Sequence, residues 1–143
     1  MGSKMQTGLL LIIGIIVSLI GWMFIYPVNG GPDVTAAEKA GQLMADPELG
    51  TLGLLMGFGG MMALFIGLLN IARSMAAAGG SGSSYANVSA IFAMIILTVG
   101  AIAIAIQLAV IDASSAALGT RIMEFSDATT GAFVLPCGLM LIL

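Results

Sequence analysis

The sequence has 143 residues, of which 59% are hydrophobic and 8% charged, with a net charge of −3 and a mean hydropathy of +1.14. Soluble domains carry about 25% charged residues, so this balance describes a chain built for lipid, with too little polar chain left over for a separate soluble domain. The acidic balance without any basic cluster argues against nucleic acid as a partner, and a single cysteine cannot form an intrachain disulfide.

In chain order, a short polar lead carrying Lys4 precedes an apolar run over residues 8–26, which closes on Trp22, Tyr26 and Pro27. Aromatic residues belong at the membrane–water boundary, and a proline marks a helix end. A secretory signal peptide is the competing reading, but no small-residue cleavage site follows closely, and the run is long for a signal. It reads as a span. Gly14, Ser18 and Gly21 form a small-residue face on it.

Residues 27–46 read as a loop. Asn29-Gly30-Gly31-Pro32-Asp33 is turn chemistry, and Thr35 with Glu38 fits a capping box, which predicts a short amphipathic helix from about residue 36 to 44. The second span covers 47–72, with Asp46 as N-cap and Pro47 and Glu48 in the first turn. Its apolar run suffices for a hydrocarbon core of roughly 30 Å. Gly53, Gly57, Gly60 and Gly67 share one face, a groove that another helix backbone can approach closely; the face of Gly14, Ser18 and Gly21 is a plausible partner.

A Gly/Ser-rich stretch lies within a 73–87 loop and reads as a simple connector. The third span covers 88–111; Ala93, Gly100 and Gln107 lie two turns apart on one face, and Ala101, Ala105 and Ala109 make a second ridge. This helix could run on past Asp112 and stop near Gly119. Residues 112–130 are otherwise polar and read as a loop. Residues 131–143 are apolar again, but give only about 20 Å of helix, so they read as a fourth span cut short. The fold class expected is all-α: a polytopic membrane bundle of about four transmembrane helices, the last incomplete.

With alternating spans, one side of the membrane holds Lys4 and Arg73 and no acid, while the other holds Lys39, Arg121 and all seven acids. Counting only Lys and Arg leaves a tie. The amino terminus beside Lys4 and the acid-free second loop favour a cytoplasmic N-terminus with the acidic loops outside.

Histidine is absent, which removes the commonest general base and metal ligand. With one cysteine as well, the usual structural zinc, iron–sulfur and His-ligated haem sites cannot form from this chain alone, so no cofactor or metal is expected. Met56, Met61 and Met62 do not share a face, and gap filling explains them better than copper. Asp112, beside an apolar run, is the sharpest candidate for an ion pathway, with Gln107 and Asn70 as companions; the plainer reading places Asp112 at the interface, hydrated or paired with Arg121, and makes Asn70 and Gln107 interhelical hydrogen-bond donors. Cys137 beside Pro136 reads as a small apolar residue.

A span closing on Tyr26-Pro27, an acidic loop to Asp46-Pro47-Glu48, a Gly-rich span ending Ile71-Ala72-Arg73 and a Gly/Ser linker resemble small multi-span prokaryotic membrane proteins of unassigned function. In size and polarity the chain is also similar to helical accessory subunits of respiratory and monooxygenase complexes. The function expected is therefore a non-catalytic subunit, not an enzyme, whose partners are the lipid bilayer and other integral membrane subunits met through the Gly/Ala faces. The alternative is a small transporter or ion-conducting oligomer using Asp112 and Gln107. A membrane enzyme working through outer carboxylates is a third reading.

Overall fold

A computed structural model describes residues 3–28 and 33–142. Within them, five α-helices follow in order: α1 (Lys4–Ile20), continued by a π-helical turn (Gly21–Ile25), α2 (Ala36–Ala45), α3 (Pro47–Ala78), α4 (Ser83–Ile111) and α5 (Ala116–Ile142). No strand occurs among the described residues. Most of the Asn29–Asp33 turn lies outside them.

The helix starts follow local chemistry. Ser3 and Gln6 cap α1 reciprocally, and Thr35 and Glu38 do the same for α2, so two orphan backbone donors are satisfied at each end. Asp46 accepts from the Leu49 N–H at 3.2 Å and starts α3 with Pro47 in the first turn. Gly79 takes a positive φ of 66° just past α3, a conformation that glycine adopts without a Cβ clash.

Among the described residues, three helical segments are long and apolar enough to cross a membrane: Lys4–Ile25, Pro47–Ala78 and Ser83–Ile111. In the most apolar window of Pro47–Ala78, 39% of the residues are buried, against 11% and 17% for the other two, so α3 is the central helix. α1 packs on one side of it and α4 on the other; α5 packs on α4, and α2 lies on α5. α1 and α3 run antiparallel: Gly53 lies at Tyr26, Gly57 at Trp22, Gly60 at Gly14 and Ser18, and Gly67 at Leu11. α5 likewise runs back along α4, with Met123 at Val110 and Thr130 on the cavity of Ala103.

The two small-residue faces of α1 and α3 thus meet each other. A Cβ added to Gly14 would lie 2.7 Å from the Gly60 carbonyl oxygen, and one added to Gly21 would overlap the Gly57 backbone. Backbone rests on backbone. The glycines read as surfaces for other subunits are consumed inside the chain, because helices this close leave no room for a third. On α4, Ala86, Ala90, Ala93 and Gly100 face α3, with Ala90 and Ala93 against Leu69 and Ala72.

The polar stretch 112–130 departs from the expected loop. α4 stops at Ile111, a turn of residues 112–115 follows, and α5 begins at once. The Ser115 hydroxyl accepts from the Leu118 N–H at 3.3 Å, an N-cap bond, and the third span does not run on to Gly119, which sits inside α5 next to Met44. Residues 131–142 are the second half of α5, with Pro136 inside it, and form no separate short helix. The polar hydroxyls here find their partners on the helix itself: that of Thr120 donates to the Ala116 carbonyl, and those of Thr129 and Thr130 to the Ser126 carbonyl.

Candidate functional site

One group of polar side chains gathers where the end of the first span meets α2, the last turns of α4 and the middle of α5. The π-helical turn sets this up. The Tyr26 N–H reaches back five residues to the Gly21 carbonyl at 2.8 Å, and the chain then leaves the helix extended ahead of Pro27. Such single π turns are rare and often occur at functional positions. This one seats Trp22 over Gly57 and Tyr26 over Gly53.

Trp22 is the hub of an aromatic cluster. Its ring meets Tyr26 edge-on at 4.7 Å between centroids and Phe58 at 4.9 Å, with interplanar angles of 80° and 72°. Among the described residues its Nε1 is buried without a hydrogen-bond partner, held over the crater that Gly57 leaves. The Tyr26 hydroxyl reaches away from the stack and donates to Gln107 Oε1 of α4 at 2.7 Å. That bond crosses from the end of the first span to the third.

Beyond Gln107 lies a cavity of about 80 Å³, lined by Phe58, Ala103, Gln107, Ser126, Thr129 and Thr130. At about 30 Å³ per molecule it has room for two or three waters. Ser126 is buried, and the two threonines spend their protons on its carbonyl, leaving their oxygens as acceptors. On the outer flank, Lys39 Nζ of α2 lies 3.0 and 2.9 Å from the two carboxylate oxygens of Asp127 on α5. This ion pair, 23% and 43% exposed at its side chains, ties the short helix to α5 above a core of Ala40, Leu43, Val110 and Met123. At the start of α2, the Thr35 backbone N–H and then its hydroxyl hold the Glu38 carboxyl below the usual carboxylate range.

The three residues considered for an ion pathway do not come together. Gln107 belongs to the junction just described. Asp112 caps the end of α4, exposed, with its N–H on the Leu108 carbonyl. Asn70 lies beyond Gly67 on α3, about 25 Å along the helix from the level of Gly53 and Tyr26. It lines a separate groove between α1 and α3 of about 390 Å³ with Gln6, Leu9, Leu10, Ile13, Gly14 and Ala63. Between the two levels, Phe58, Met61, Met62, Phe65, Ile96, Leu97 and Gly100 close the α3–α4 seam with apolar side chains. Met61 and Met62 fill gaps there. Among the described residues, no three His, Cys, Asp or Glu side chains gather closely enough to hold a metal ion.

Sequence reasoning singled out Gln107 but not its bond to Tyr26, placed Lys39 and Asp127 on one side without pairing them, and did not single out Ser126, Thr129 or Thr130. The available signal was the density of hydroxyl residues from Thr120 to Thr130, whose short side chains can bond back to their own helix.

Three helices long and apolar enough to cross a membrane, packed as an all-helical bundle, define the class: an integral membrane protein. No family model matches the chain, and no curated protein or solved structure matches it either.

Proposed function

We propose that the chain is a non-catalytic accessory subunit of a larger complex in a prokaryotic cell membrane, with α5 as a fourth span, a cytoplasmic N-terminus and the acidic end outside. One observation carries this reading. Gln107 and Asn70 are both amides set in apolar helices, and Gln107 finds its partner within the chain at Tyr26. Asn70 is half-buried in the α1–α3 groove, and no described side chain or backbone group bonds to its amide. In lipid, an amide without a partner is costly, and interhelical hydrogen bonds between such groups hold transmembrane helices together. The natural partner of Asn70 is a polar group on a helix of another subunit, seated along Leu9, Ile13 and Ala63. An ion-conducting oligomer is less well supported, since Asn70, Gln107 and Asp112 stand apart with an apolar seam between the first two.

The test is gentle detergent extraction from native membranes, then native gel separation and mass spectrometry of the band. Wild type should migrate at fixed stoichiometry with larger subunits, and Asn70→Leu should migrate alone while remaining folded. Migration of the wild type by itself, or as a homo-oligomer, rejects the subunit reading.

A further inference from the structure

A second groove runs between α4 and α5 on the opposite side of the bundle from Asn70. It measures about 500 Å³ and is lined by Ile102, Ala105, Ile106, Ala109, Ile122 and Phe125, with Arg121 as its one charged residue. Ala105 and Ala109 leave its floor low, and both are exposed. Because α5 runs back along α4, Arg121 stands at the Ala109 end, close to Ile111, where the apolar helix stops, while Phe125 stands towards Ile102. The groove therefore has a cation at headgroup level and hydrocarbon walls below it.

We propose that this groove holds a membrane phospholipid with an anionic headgroup, its phosphate on the Arg121 guanidinium and one acyl chain lying over Ala105 towards Ile102. Charge complementarity carries the assignment. Among the described residues Arg121 is paired with no acid, although Glu124 follows one turn later on its own helix and Asp112 lies exposed at the end of α4. The other cation at this end, Lys39, is already bound by Asp127. A planar guanidinium matches a phosphate with two parallel hydrogen bonds, a pairing available to a phospholipid headgroup in either leaflet.

The dimensions favour a lipid over other occupants. From Ala109 to Ile102 the groove is about 10 Å long, whereas a crossing helix needs a seat extending over most of a 30 Å core. A second copy of the chain placed on this face about a two-fold axis would bring its own Arg121 into the same groove, like charge against like. An acyl chain is narrow enough to lie between two helices and needs no hydrogen bond.

The experiment loads the purified full-length protein into micelles holding phosphatidylglycerol and phosphatidylcholine at equal mole fraction, and counts retained lipid by native mass spectrometry. Wild type should retain phosphatidylglycerol over phosphatidylcholine by about fivefold, the effect of one basic residue at an anionic surface. Arg121→Gln should bring the ratio to parity, and Lys4→Gln should leave it unchanged. Ala105→Leu, which fills the floor and keeps the charge, should lower retention of both lipids. Equal retention by the wild type, a preference that survives Arg121→Gln, or a loss shared by Lys4→Gln would overturn the proposal. So would a photoreactive side chain at Ala105 that attaches to a protein and not to a lipid in native membranes.

Discussion

The seams on the two sides of the bundle solve helix packing in opposite ways. Between α1 and α3, glycines bring two backbones into contact, and the helices touch along most of the span from Leu11 to Tyr26. Between α4 and α5, the small residues at 105 and 109 face outward, and the helices part enough to leave a groove. Small residues thus close one seam, as glycines, and line an open groove at the other, as alanines. What decides is whether small residues on one helix meet small residues on the next. Gly14 and Gly21 answer Gly60 and Gly57, while Ala105 and Ala109 have Ile122 and Phe125 for neighbours. A small-residue ridge is a packing surface only in the presence of a matching one, since the contacts come from dispersion and backbone approach and not from expulsion of water.

The largest expected effect comes from breaking the closed seam. Gly60→Leu drives a side chain into the Ser18 and Gly14 backbones, which cannot move aside as a flexible side chain would, and should destabilise the protein by about 3 kcal/mol or more. Gly59→Leu, one residue away with nothing within 4 Å of its would-be Cβ, should be nearly neutral. Thermal unfolding of the two variants in the same detergent checks the contrast; equal melting points would show that the seam is not the structural axis.

Removing the polar tie at the end of that seam tests a smaller contribution. Tyr26→Phe deletes the hydroxyl that donates to Gln107 and leaves the amide oxygen without its donor, at a cost of about 1 kcal/mol. Tyr26→Phe combined with Gln107→Leu should recover part of that loss, because no unpaired polar atom then remains. A double-mutant cycle on unfolding in detergent measures the coupling, and strict additivity would mean the bond contributes nothing.

The smallest effect belongs to the α2 cap. The Glu38 carboxyl is held below its unfolded value, so its contribution to stability is present at neutral pH and is lost as the pH falls through the folded value. Protection of the first-turn amides of α2, taken relative to the intrinsic exchange rate at each pH, should fall on acidification below the ordinary carboxylate range, and in Glu38→Gln this pH dependence should shrink. Exchange that responds to pH identically in both forms would assign the effect to another group.

Much of the fold is legible in the sequence because it is written locally. Asp46-Pro47-Glu48 and Thr35 with Glu38 start their helices as capping chemistry dictates, and the glycine spacing on α3 mirrors that on α1. α5 was hidden because its polar half resembles a loop to any reading based on hydropathy. What hydropathy misses is partly local, threonine hydroxyls turned onto their own backbone, and partly tertiary, Lys39 reaching Asp127 from 88 residues away. The junction was hidden for the same reason. Gln107 stood out as a polar residue in an apolar run, but nothing near it in sequence names Tyr26, which arrives through the fold from 81 residues away.

Trp22 is the chain's one tryptophan, and it sits at the point where α1 presses on Gly57. Among the described residues its indole N–H has no acceptor, so the excited ring has little polar chain around it to relax against while the helices are docked. Separation of α1 from α3 would expose the same ring to headgroups and water. The protein therefore carries a built-in optical gauge: its intrinsic emission follows the closure of a single helix pair, in bilayer or detergent, without a label.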